Sequence, residues 1–406
     1  MMQEWKPDPL TRLYVYSLCL LAYAAGDVSW LFAVPRPLLY IIVSFLAIIK
    51  IVRDGVQPSP KKTIWILLWL TFNVIIIFVF RGSLISHMFH LVYFLIYTSV
   101  ILLSLDEMKY LLKILTNCFI IILVISIPAW ILYLMGAPLA YTGPHYHENG
   151  YHVYYDYYYF TTQVSMSLSD YYRFSSVFLE PGQMATPCAF LFHLNSKENK
   201  IFQFKNVIMI IAIVMSFSLI AYGLLLTSLV VNRMEGKYRI PALVVTLLVI
   251  VGLGQYFISH EDNAVNALIV SRLEYSEETT IVGYNRTNDY FDARYEQLMS
   301  SNEKYFGIHD QLVGNNWTIN TSGYRKFIVR HGVVGFAIVM GMMFVLWWDN
   351  RNRAALIYGI MVVISFLVRD MLTTPLWITC AIIGMYILGT DSKKVEYSNQ
   401  VITKTI

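Results

Sequence analysis

The chain has 406 residues, of which 57% are hydrophobic and 14% are charged, whereas an average soluble domain carries about 25% charged residues. This composition excludes an ordinary soluble domain and predicts a membrane protein. The formal net charge of +4 is too small to indicate a nucleic-acid partner. All 4 cysteines lie in apolar runs, where a thiol packs as a small hydrophobic group, and no C-x-x-C pair indicates metal or redox chemistry.

Apolar runs that can cross a bilayer, each of about 17–25 residues, recur from Leu10 nearly to Thr390. The first run follows the N-terminus without a small-residue cleavage site, so we interpret the N-terminus as retained. We predict that residues 1–406 form a single all-α polytopic membrane domain. The predicted spans are 10–33, 36–50, 63–80, 84–104, 109–135, 180–194, 240–258, 326–348, 354–369 and 374–390.

Residues 207–231 are the ambiguous part of this topology. Connections rich in Lys and Arg are expected to face the cytoplasm, and two of them, 196–205 and 232–239, flank this stretch. A single crossing would place them on opposite sides, so we predict a break near 216–223 that turns two short helices back at the outer side. Polar backbone at that depth needs cover from protein or from a water-filled cavity, and a cavity beside the break is expected. One tilted helix is the alternative.

With this break, about twelve spans result under the charge rule, and both termini face the cytoplasm. Two long loops then face outward, 137–179 and 259–325. The first is crowded with tyrosines, among them Tyr154 and Tyr158. A tyrosine ring offers an apolar face to sugar C–H bonds and a hydroxyl at its edge, so this loop is a candidate glycan-binding surface. An aromatic belt at the membrane interface explains the same pattern equally well.

The second loop contains more acidic than basic residues, so particular arginines would have to hold any phosphate group. Residues 287–301 have apolar side chains at helical spacing and predict an amphipathic helix on the membrane surface. Arg286 precedes this helix and is the freer group, whereas Arg294 lies beside acidic residues and is predicted to form an ion pair. A D-x-x-D pattern in the same stretch is weak support for a metal site. His309 follows the helix and is a candidate proton acceptor, although it could simply hydrogen-bond a turn.

Arg173 and Glu180 precede the span 180–194. Charged groups at a bilayer boundary are costly, which makes them candidates for function. An ion pair between them that caps the helix, with Pro181 in its first turn, is the alternative.

Four features in this order resemble the O-antigen polymerase and O-antigen ligase superfamily: RFSSVFLEPG (173–182), the serine-bearing break SFSLIAYG (216–223), the arginine-bearing outer loop, and FGIH (306–309) followed by SGYRKFIVRHGVVG (322–335). Two positions depart from the family pattern. Gly182 stands where the family often has asparagine, and Leu219 stands where it often has arginine.

The resemblance implies a glycosyltransferase of the bacterial inner (cytoplasmic) membrane that acts on glycans linked to undecaprenyl diphosphate. A hydroxyl of one lipid-linked repeat unit attacks C1 of the reducing-end sugar of another chain, and undecaprenyl diphosphate leaves. No metal and no cofactor are expected, because fixed arginines can stabilise the charge on the leaving diphosphate. The candidate catalytic residues are His309 as first choice of base, Glu180 as second choice or as a group that orients an arginine, Arg272 and Arg286. The candidate substrate-binding residues are Arg173, Arg325, Tyr154 and Tyr158.

Polymerisation of O-antigen, capsule or exopolysaccharide repeat units is preferred over ligation, because no residue pattern points to a lipopolysaccharide acceptor. A flippase or exporter of lipid-linked glycans would need arginines inside the spans, and Arg369 is the nearest example. An acyltransferase would need a histidine buried in a span, for which His193 is the candidate. The expected partners are the lipid-linked donor and acceptor glycans and membrane lipid, with a chain-length regulator protein as an optional partner and no nucleic acid.

Overall fold

The structure is a computed structural model that describes most of the chain. The described residues are 5–26, 28–31, 34–55, 57–79, 84–147, 153–164, 173–196, 202–233, 289–308, 323–369 and 374–404. Within these ranges the chain forms 12 α-helices and one small antiparallel sheet. The helices are α1 (Pro9–Ala25), α2 (Arg36–Asp54), α3 (Pro60–Val79), α4 (Leu84–Leu102), α5 (Leu105–Leu134), α6 (Pro181–Asn195), α7 (Phe204–Met215), α8 (Leu219–Arg233), α9 (Asp289–Ser300), α10 (Tyr324–Asp349), α11 (Arg353–Val368) and α12 (Pro375–Lys404).

Local sequence signals set several helix starts. The Asp8 carboxylate accepts hydrogen bonds from the backbone N–H groups of Leu10 and Thr11 and so caps α1. Ser104 and Glu107 form a reciprocal capping box at the start of α5. Such caps satisfy the backbone N–H groups that the first helical turn leaves without partners. The hydropathy pattern therefore acts together with capping residues to fix where these helices begin.

The apolar runs predicted as spans are largely helical where the structure describes them. The largest difference at the N-terminus is that α1 ends at Ala25 rather than near residue 33, and a short 3-10 helix follows at Ser29–Leu31. At the other end of the chain, α12 continues well past residue 390, to Lys404. The predicted span 240–258 lies outside the described residues.

Three of the described helices, α3, α5 and α10, are long and apolar enough to cross a membrane, and these helices indicate a membrane protein. α7, α8, α11 and parts of α4 and α12 are apolar but shorter. Large apolar side chains also point outward, including Phe45 on α2, which is 63% exposed, and Phe78 on α3, which is 83% exposed. Outward apolar surface of this extent suits contact with lipid rather than with water.

The centre of the bundle is formed by α6 and the first half of α12, which are buried along almost their whole length. Helices that are apolar on every side are expected at such positions. The Phe190 ring of α6 meets the Trp377 ring of α12 edge to face, with centroids 5.9 Å apart. The Tyr358 ring of α11 lies so close to Gly384 that a Cβ there would overlap it. These contacts fix α6, α11 and α12 as one unit.

The stretch 207–231 is divided into two helices, as predicted. α7 ends at Met215 and α8 begins at Leu219. Between them Phe217 has φ 47, a left-handed conformation that is uncommon for residues other than glycine. The left-handed conformation of Phe217 therefore separates α7 from α8.

α7 and α8 form a hairpin against α6. Near the start of α6, the Phe174 N–H donates to the Met215 carbonyl over 3.1 Å. Near the other end of α6, His193 shares a 3.0 Å hydrogen bond with Ser228 of α8. α8 therefore returns along α6, and the alternative of one tilted helix is wrong.

Protein atoms cover this break. Ser216 and Ser218 are 0% and 4% exposed, so protein rather than a water-filled cavity surrounds these two side chains. The Ser216 hydroxyl donates to the Ile213 carbonyl over 2.6 Å, and the Tyr222 hydroxyl donates to the Val214 carbonyl over 2.5 Å. Protein thus covers Ser216 and Ser218, whereas Tyr222 is half-buried.

The tyrosine-rich loop contains a three-stranded antiparallel sheet that the sequence analysis did not predict. Its strands are β1 (Tyr141–His147), β2 (Val153–Tyr158) and β3 (Thr161–Val164), in that spatial order. Tyrosine, valine and threonine favour strands, so the residues that suggested a glycan surface also favour a sheet. The all-α prediction fits the described chain, which is mostly helical, and the small sheet in this loop is an addition to it.

A network of charges joins α1, α2 and α5 at the end of the bundle where α1 and α5 begin. The Lys50 ammonium, almost fully buried, lies 2.6 Å from Asp54 and 2.5 Å from Glu107. Arg53 pairs with both Asp54 and Asp8. The hydrogen bond from Arg53 holds the pKa of the Asp8 carboxyl well below its usual range. Buried lysine is tolerated here because two carboxylates accompany it.

Candidate functional site

The predicted site residues that the structure describes lie at one end of the helix bundle, which we call the loop end. The loop end comprises residues 141–164 without 148–152, 173–182, 216–218, 289–308 and 323–332. The start of α6 lies there, together with the turn between α7 and α8. The charge network around Lys50 lies at the opposite end.

Glu180 forms a buried ion pair with Arg369. The Glu180 Oε2 atom lies 2.7 Å from Arg369 Nη1, and the two side chains are 12% and 11% exposed. Glu180 is the N-cap residue of α6, and Arg369 is the C-cap residue of α11. Gly182 makes room for this pair, since a Cβ at that position would overlap the guanidinium of Arg369. Glycine at residue 182 thus has a structural reason.

Arg173 binds the break between α7 and α8 rather than Glu180. Its Nε atom donates to the Ser216 carbonyl over 3.2 Å, and its Nη2 atom donates to the Phe217 carbonyl over 2.8 Å. Carbonyl groups at a helix end lack intrahelical partners, and a guanidinium satisfies two of them at once. The alternative of an Arg173–Glu180 ion pair is therefore wrong, and Arg173 fixes the position of the hairpin turn.

The sheet is fastened to the segment that enters α6. The Thr162 N–H donates to the Ser176 carbonyl over 2.8 Å, and the Ser175 hydroxyl donates to the Thr162 carbonyl over 2.7 Å. The Ser176 and Ser126 hydroxyls lie 2.6 Å apart. Thr161 and Thr162 are fully buried. These hydrogen bonds hold the third strand against α5 and against the approach to Glu180.

Residues 302–308 pack back onto α10 through two glycines. Gly332 has φ 69 and ψ 176, a conformation open essentially to glycine alone, and it kinks α10. A Cβ on Gly332 would overlap the Tyr305 carbonyl, and Gly307 meets the backbone of Gly332 and Arg330 in the same way. One residue later, the Ile308 N–H donates to the Val329 carbonyl over 2.6 Å. The FGIH and RHGVVG motifs are therefore joined by direct backbone contact.

The predicted amphipathic helix is confirmed as α9, Asp289–Ser300. Its buried residues Phe291 and Leu298 pack against Val329 of α10, so this apolar face contacts protein. The ion pairing of α9 differs from the prediction. Asp292 pairs with Arg325 over 2.8 Å, and the Arg325 guanidinium also lies over the Tyr295 ring.

Arg294, predicted to form the ion pair on this helix, has other partners. It donates to Gln297 over 2.8 Å and lies over the Tyr290 ring. The pairing of Asp292 was mispredicted because Arg325 is 33 residues away in sequence and approaches only when α10 folds against α9.

Backbone contact links this region to the Glu180–Arg369 pair. Gly323, which precedes α10, has φ 90, and a Cβ there would lie 2.8 Å from the Leu367 carbonyl. Leu367 lies in the last turn of α11, two residues before Arg369. Arg325 and Arg369 therefore belong to neighbouring segments of the loop end.

Of the remaining predicted site residues, three lie outside the described residues and two belong to the sheet. His309, Arg272 and Arg286 lie outside the described residues. The backbone of Tyr154 belongs to β2, opposite Tyr146 of β1. The Tyr158 ring packs against Tyr133 of α5, with centroids 5.1 Å apart, which ties the sheet to the bundle.

His193, the candidate for an acyltransferase, is buried at the far end of α6 from Glu180. It bonds Ser228 and stacks on the Tyr358 ring, with centroids 5.6 Å apart. These contacts are those of a core histidine with satisfied hydrogen bonding.

Sequence reasoning missed the role of Arg369 at the start of α6. It treated Arg369 solely as an intramembrane arginine relevant to export. Buried charges in proteins are paired. A search for a cation in another apolar run to match Glu180 could therefore have identified Arg369. It also missed the contact between Gly307 and Gly332, although each glycine stands in a motif of the resemblance.

Substitution of Gly332 by alanine should destabilise the protein. Alanine in this backbone conformation costs about 1–3 kcal/mol, and its Cβ would overlap the Tyr305 carbonyl. Gly223→Ala is the matched control, because no atom lies within 4 Å of a Cβ there and alanine favours a helix over glycine by about 1 kcal/mol. Thermal unfolding of both variants in one detergent measures the difference. Equal stability of Gly332→Ala and the parent would contradict the kinked conformation of α10.

Comparison with known proteins gives no match: no protein-family model, no curated protein and no solved structure matches this chain.

Proposed function

We propose that this protein is a glycosyltransferase that polymerises undecaprenyl-diphosphate-linked oligosaccharide repeat units. In this proposal about twelve spans cross the bacterial inner membrane, both termini are cytoplasmic, and the loop end faces the periplasm. The product is an O-antigen, a capsule or an exopolysaccharide. The observation that carries the proposal is the buried Glu180–Arg369 pair at the loop end, with Arg173 in the segment that leads to it.

The two carboxylate oxygens of Glu180 differ in their hydrogen bonding. Its Oε2 atom accepts from Arg369, whereas its buried Oε1 atom has no hydrogen-bond partner among the described residues. A buried acceptor without a partner is costly, and a carboxylate oxygen can accept a hydrogen bond from a sugar hydroxyl. This geometry supports a role in which Glu180 orients both Arg369 and an acceptor hydroxyl.

The proposed reaction begins with proton transfer from the acceptor hydroxyl to a base, for which His309 remains the first choice. The hydroxyl oxygen attacks C1 of the donor sugar, and the C1–oxygen bond to undecaprenyl diphosphate breaks. Arg272 and Arg286 stabilise the negative charge that develops on the diphosphate, and Arg369 adds a third guanidinium at the start of α6. No metal takes part in this scheme.

Two of the proposed substrate-binding arginines also have structural partners. Arg173 holds the turn between α7 and α8, and Arg325 is paired with Asp292. In this scheme they form the rigid wall of the site, and their positive charge lies beside the diphosphate. Tyr154 and Tyr158 supply a glycan-binding surface on the sheet, which lies at the same end of the bundle.

An exporter of lipid-linked glycans is the second candidate, because Arg369 is a buried arginine in an apolar helical region. The two functions differ in how they would use it. An exporter needs a cation that a passing diphosphate can reach along a central path, whereas Arg369 lies at the end of α11 and is held by Glu180. O-antigen ligation would use the same residues with a lipopolysaccharide acceptor.

The test is polymer synthesis by the purified full-length protein in liposomes supplied with a lipid-linked repeat unit. We expect a ladder of products, each one repeat unit longer than the one before. The ladder should persist in EDTA, because arginines rather than a D-x-x-D metal site hold the diphosphate. Loss of the ladder in EDTA and its return with magnesium would move the diphosphate site to Asp289 and Asp292. Transport of the lipid-linked unit without any ladder would favour the exporter.

A further inference from the structure

A groove lies between α10, α11 and α12. It encloses about 260 Å³ and is lined almost entirely by apolar atoms. Its walls include Met343, Trp347, Gly359, Ile360 and Met385. Gly359 keeps the floor of the groove open, since a Cβ there would lie 3.1 Å from the Met385 Cε atom.

The groove opens toward the outer surface of the bundle. Four of its lining residues are also exposed large hydrophobic residues: Phe344, Leu356, Ile360 and Ile364. In a protein with membrane-spanning helices, such a face meets lipid chains. A hydrocarbon chain is therefore the occupant that matches the shape and polarity of the groove.

A cluster of basic residues lies at the end of the groove where Trp347 and Leu356 flank the turn between α10 and α11. We call it the basic rim. Lys61 donates to the Trp348 carbonyl over 3.1 Å and lies 3.6 Å from Asp349. The basic rim consists of Lys61, Lys62, Arg351 and Arg353, and it contains the carboxylate Asp349.

Two cations of the basic rim keep their donors available. The Lys62 ammonium lies over the Tyr386 ring at 4.9 Å, and the Arg351 guanidinium lies over the Trp348 ring at 5.5 Å. Neither side chain donates a hydrogen bond or forms an ion pair within the part of the chain that the structure describes. Basic residues beside tryptophan and tyrosine are typical of the membrane interface, where they attract anionic lipid headgroups.

We propose that the α10–α12 groove binds an anionic phospholipid. One acyl chain fills the groove, and the headgroup phosphate contacts Lys62 and Arg351 at the basic rim. Charge selects the lipid, since the four cations of the basic rim outnumber Asp349 among the side chains that the structure describes there. The apolar groove adds a long contact with the acyl chain that a dissolved phosphate ion cannot make. The inference goes beyond the proposed glycosyltransferase and does not depend on it.

The test uses the purified full-length protein, stripped of lipid by detergent exchange and titrated with phosphatidylglycerol or phosphatidylcholine under native mass spectrometry. We expect phosphatidylglycerol to bind about tenfold more tightly, given the contribution of each basic residue at a membrane surface. The double variant Lys62→Gln/Arg351→Gln should lose this preference. Arg12→Gln is the control, because Arg12 is exposed at the start of α1 and outside the basic rim.

A second variant tests the groove separately from the headgroup. Gly359→Leu places a side chain where the acyl chain would lie and should weaken the binding of both lipids, while Met385 can move aside because its side chain is flexible. Equal binding of the two lipids by the parent would overturn the proposal, and so would a double variant with unchanged preference. The parent protein could instead be a dimer that Gly359→Leu converts to a monomer, with lipid binding unchanged. That result would indicate that a second copy of the chain occupies the groove, and it would overturn the proposal.

Discussion

Replacement of Arg369 by methionine should lower the free energy of unfolding by about 3–5 kcal/mol, because it leaves the Glu180 carboxylate buried without its ion-pair partner. The two side chains are only 11% and 12% exposed, so water cannot take over the role of the guanidinium. Methionine fills a similar volume, which limits the contribution of lost packing. Denaturant unfolding of the purified protein in a single detergent measures this loss.

The double variant Glu180→Gln/Arg369→Met separates stability from function. Replacing a buried ion pair by neutral residues of similar size is often neutral for stability, so the double variant should regain most of what Arg369→Met loses. Polymer synthesis should stay low, because neither the open carboxylate oxygen nor the guanidinium is present. If the double variant instead built polymer at the parental rate, the pair would serve stability alone.

Replacement of Arg286 by lysine should reduce turnover by roughly a hundred- to a thousandfold, with a normal protein level. Lysine keeps the charge but removes the planar fork that binds a diphosphate in a bidentate manner. A charge-assisted contact made mainly in the transition state is worth about 2.7–4 kcal/mol, by analogy with one donor of an oxyanion hole. The measurement is the rate of ladder formation with a defined lipid-linked repeat unit.

The matched control for this substitution is Arg294→Lys. Arg294 is exposed on α9, where it bonds Gln297 and lies over the Tyr290 ring. Exposed charge contacts contribute about 0–1 kcal/mol, so this variant should retain nearly full activity. A parental rate in Arg286→Lys would remove the second outer loop from the catalytic site, and equal losses in both variants would indicate a general effect on the loop rather than a contact with the diphosphate.

Hydropathy and charge predicted the helices and the reversal between α7 and α8 from the sequence. The reversal could be predicted because the basic connections 196–205 and 232–239 must lie on the same side of a membrane. Helix α9 could be predicted because its apolar residues repeat at helical spacing. These features depend on neighbouring residues and on the solvent around them, and such information is present in a single sequence.

Contacts between distant segments could not be predicted in this way. Glu180 and Arg369 are 189 residues apart, and nothing near either residue identifies the other. The kink at Gly332 brings its backbone against that of Tyr305, a contact that the local sequence does not show, so the sequence around Gly332 predicts an uninterrupted helix. The sheet was missed for a different reason: its tyrosines fit an interface belt, a glycan surface and a strand equally well.

The shortness of α7 has a consequence for the surrounding bilayer. With 12 residues, α7 is about 18 Å long, whereas the hydrocarbon core of a bilayer is about 30 Å thick. Lys205 at the start of α7 is exposed and donates a hydrogen bond to Asn117 of α5. A bilayer can adapt to so short a hydrophobic segment by local thinning. We therefore expect the leaflet nearer the α7–α8 turn to be displaced toward that turn. Lipid headgroups in that depression would descend to the level of Arg173, and a lipid-borne diphosphate could reach the arginine without its hydrocarbon tail leaving the membrane.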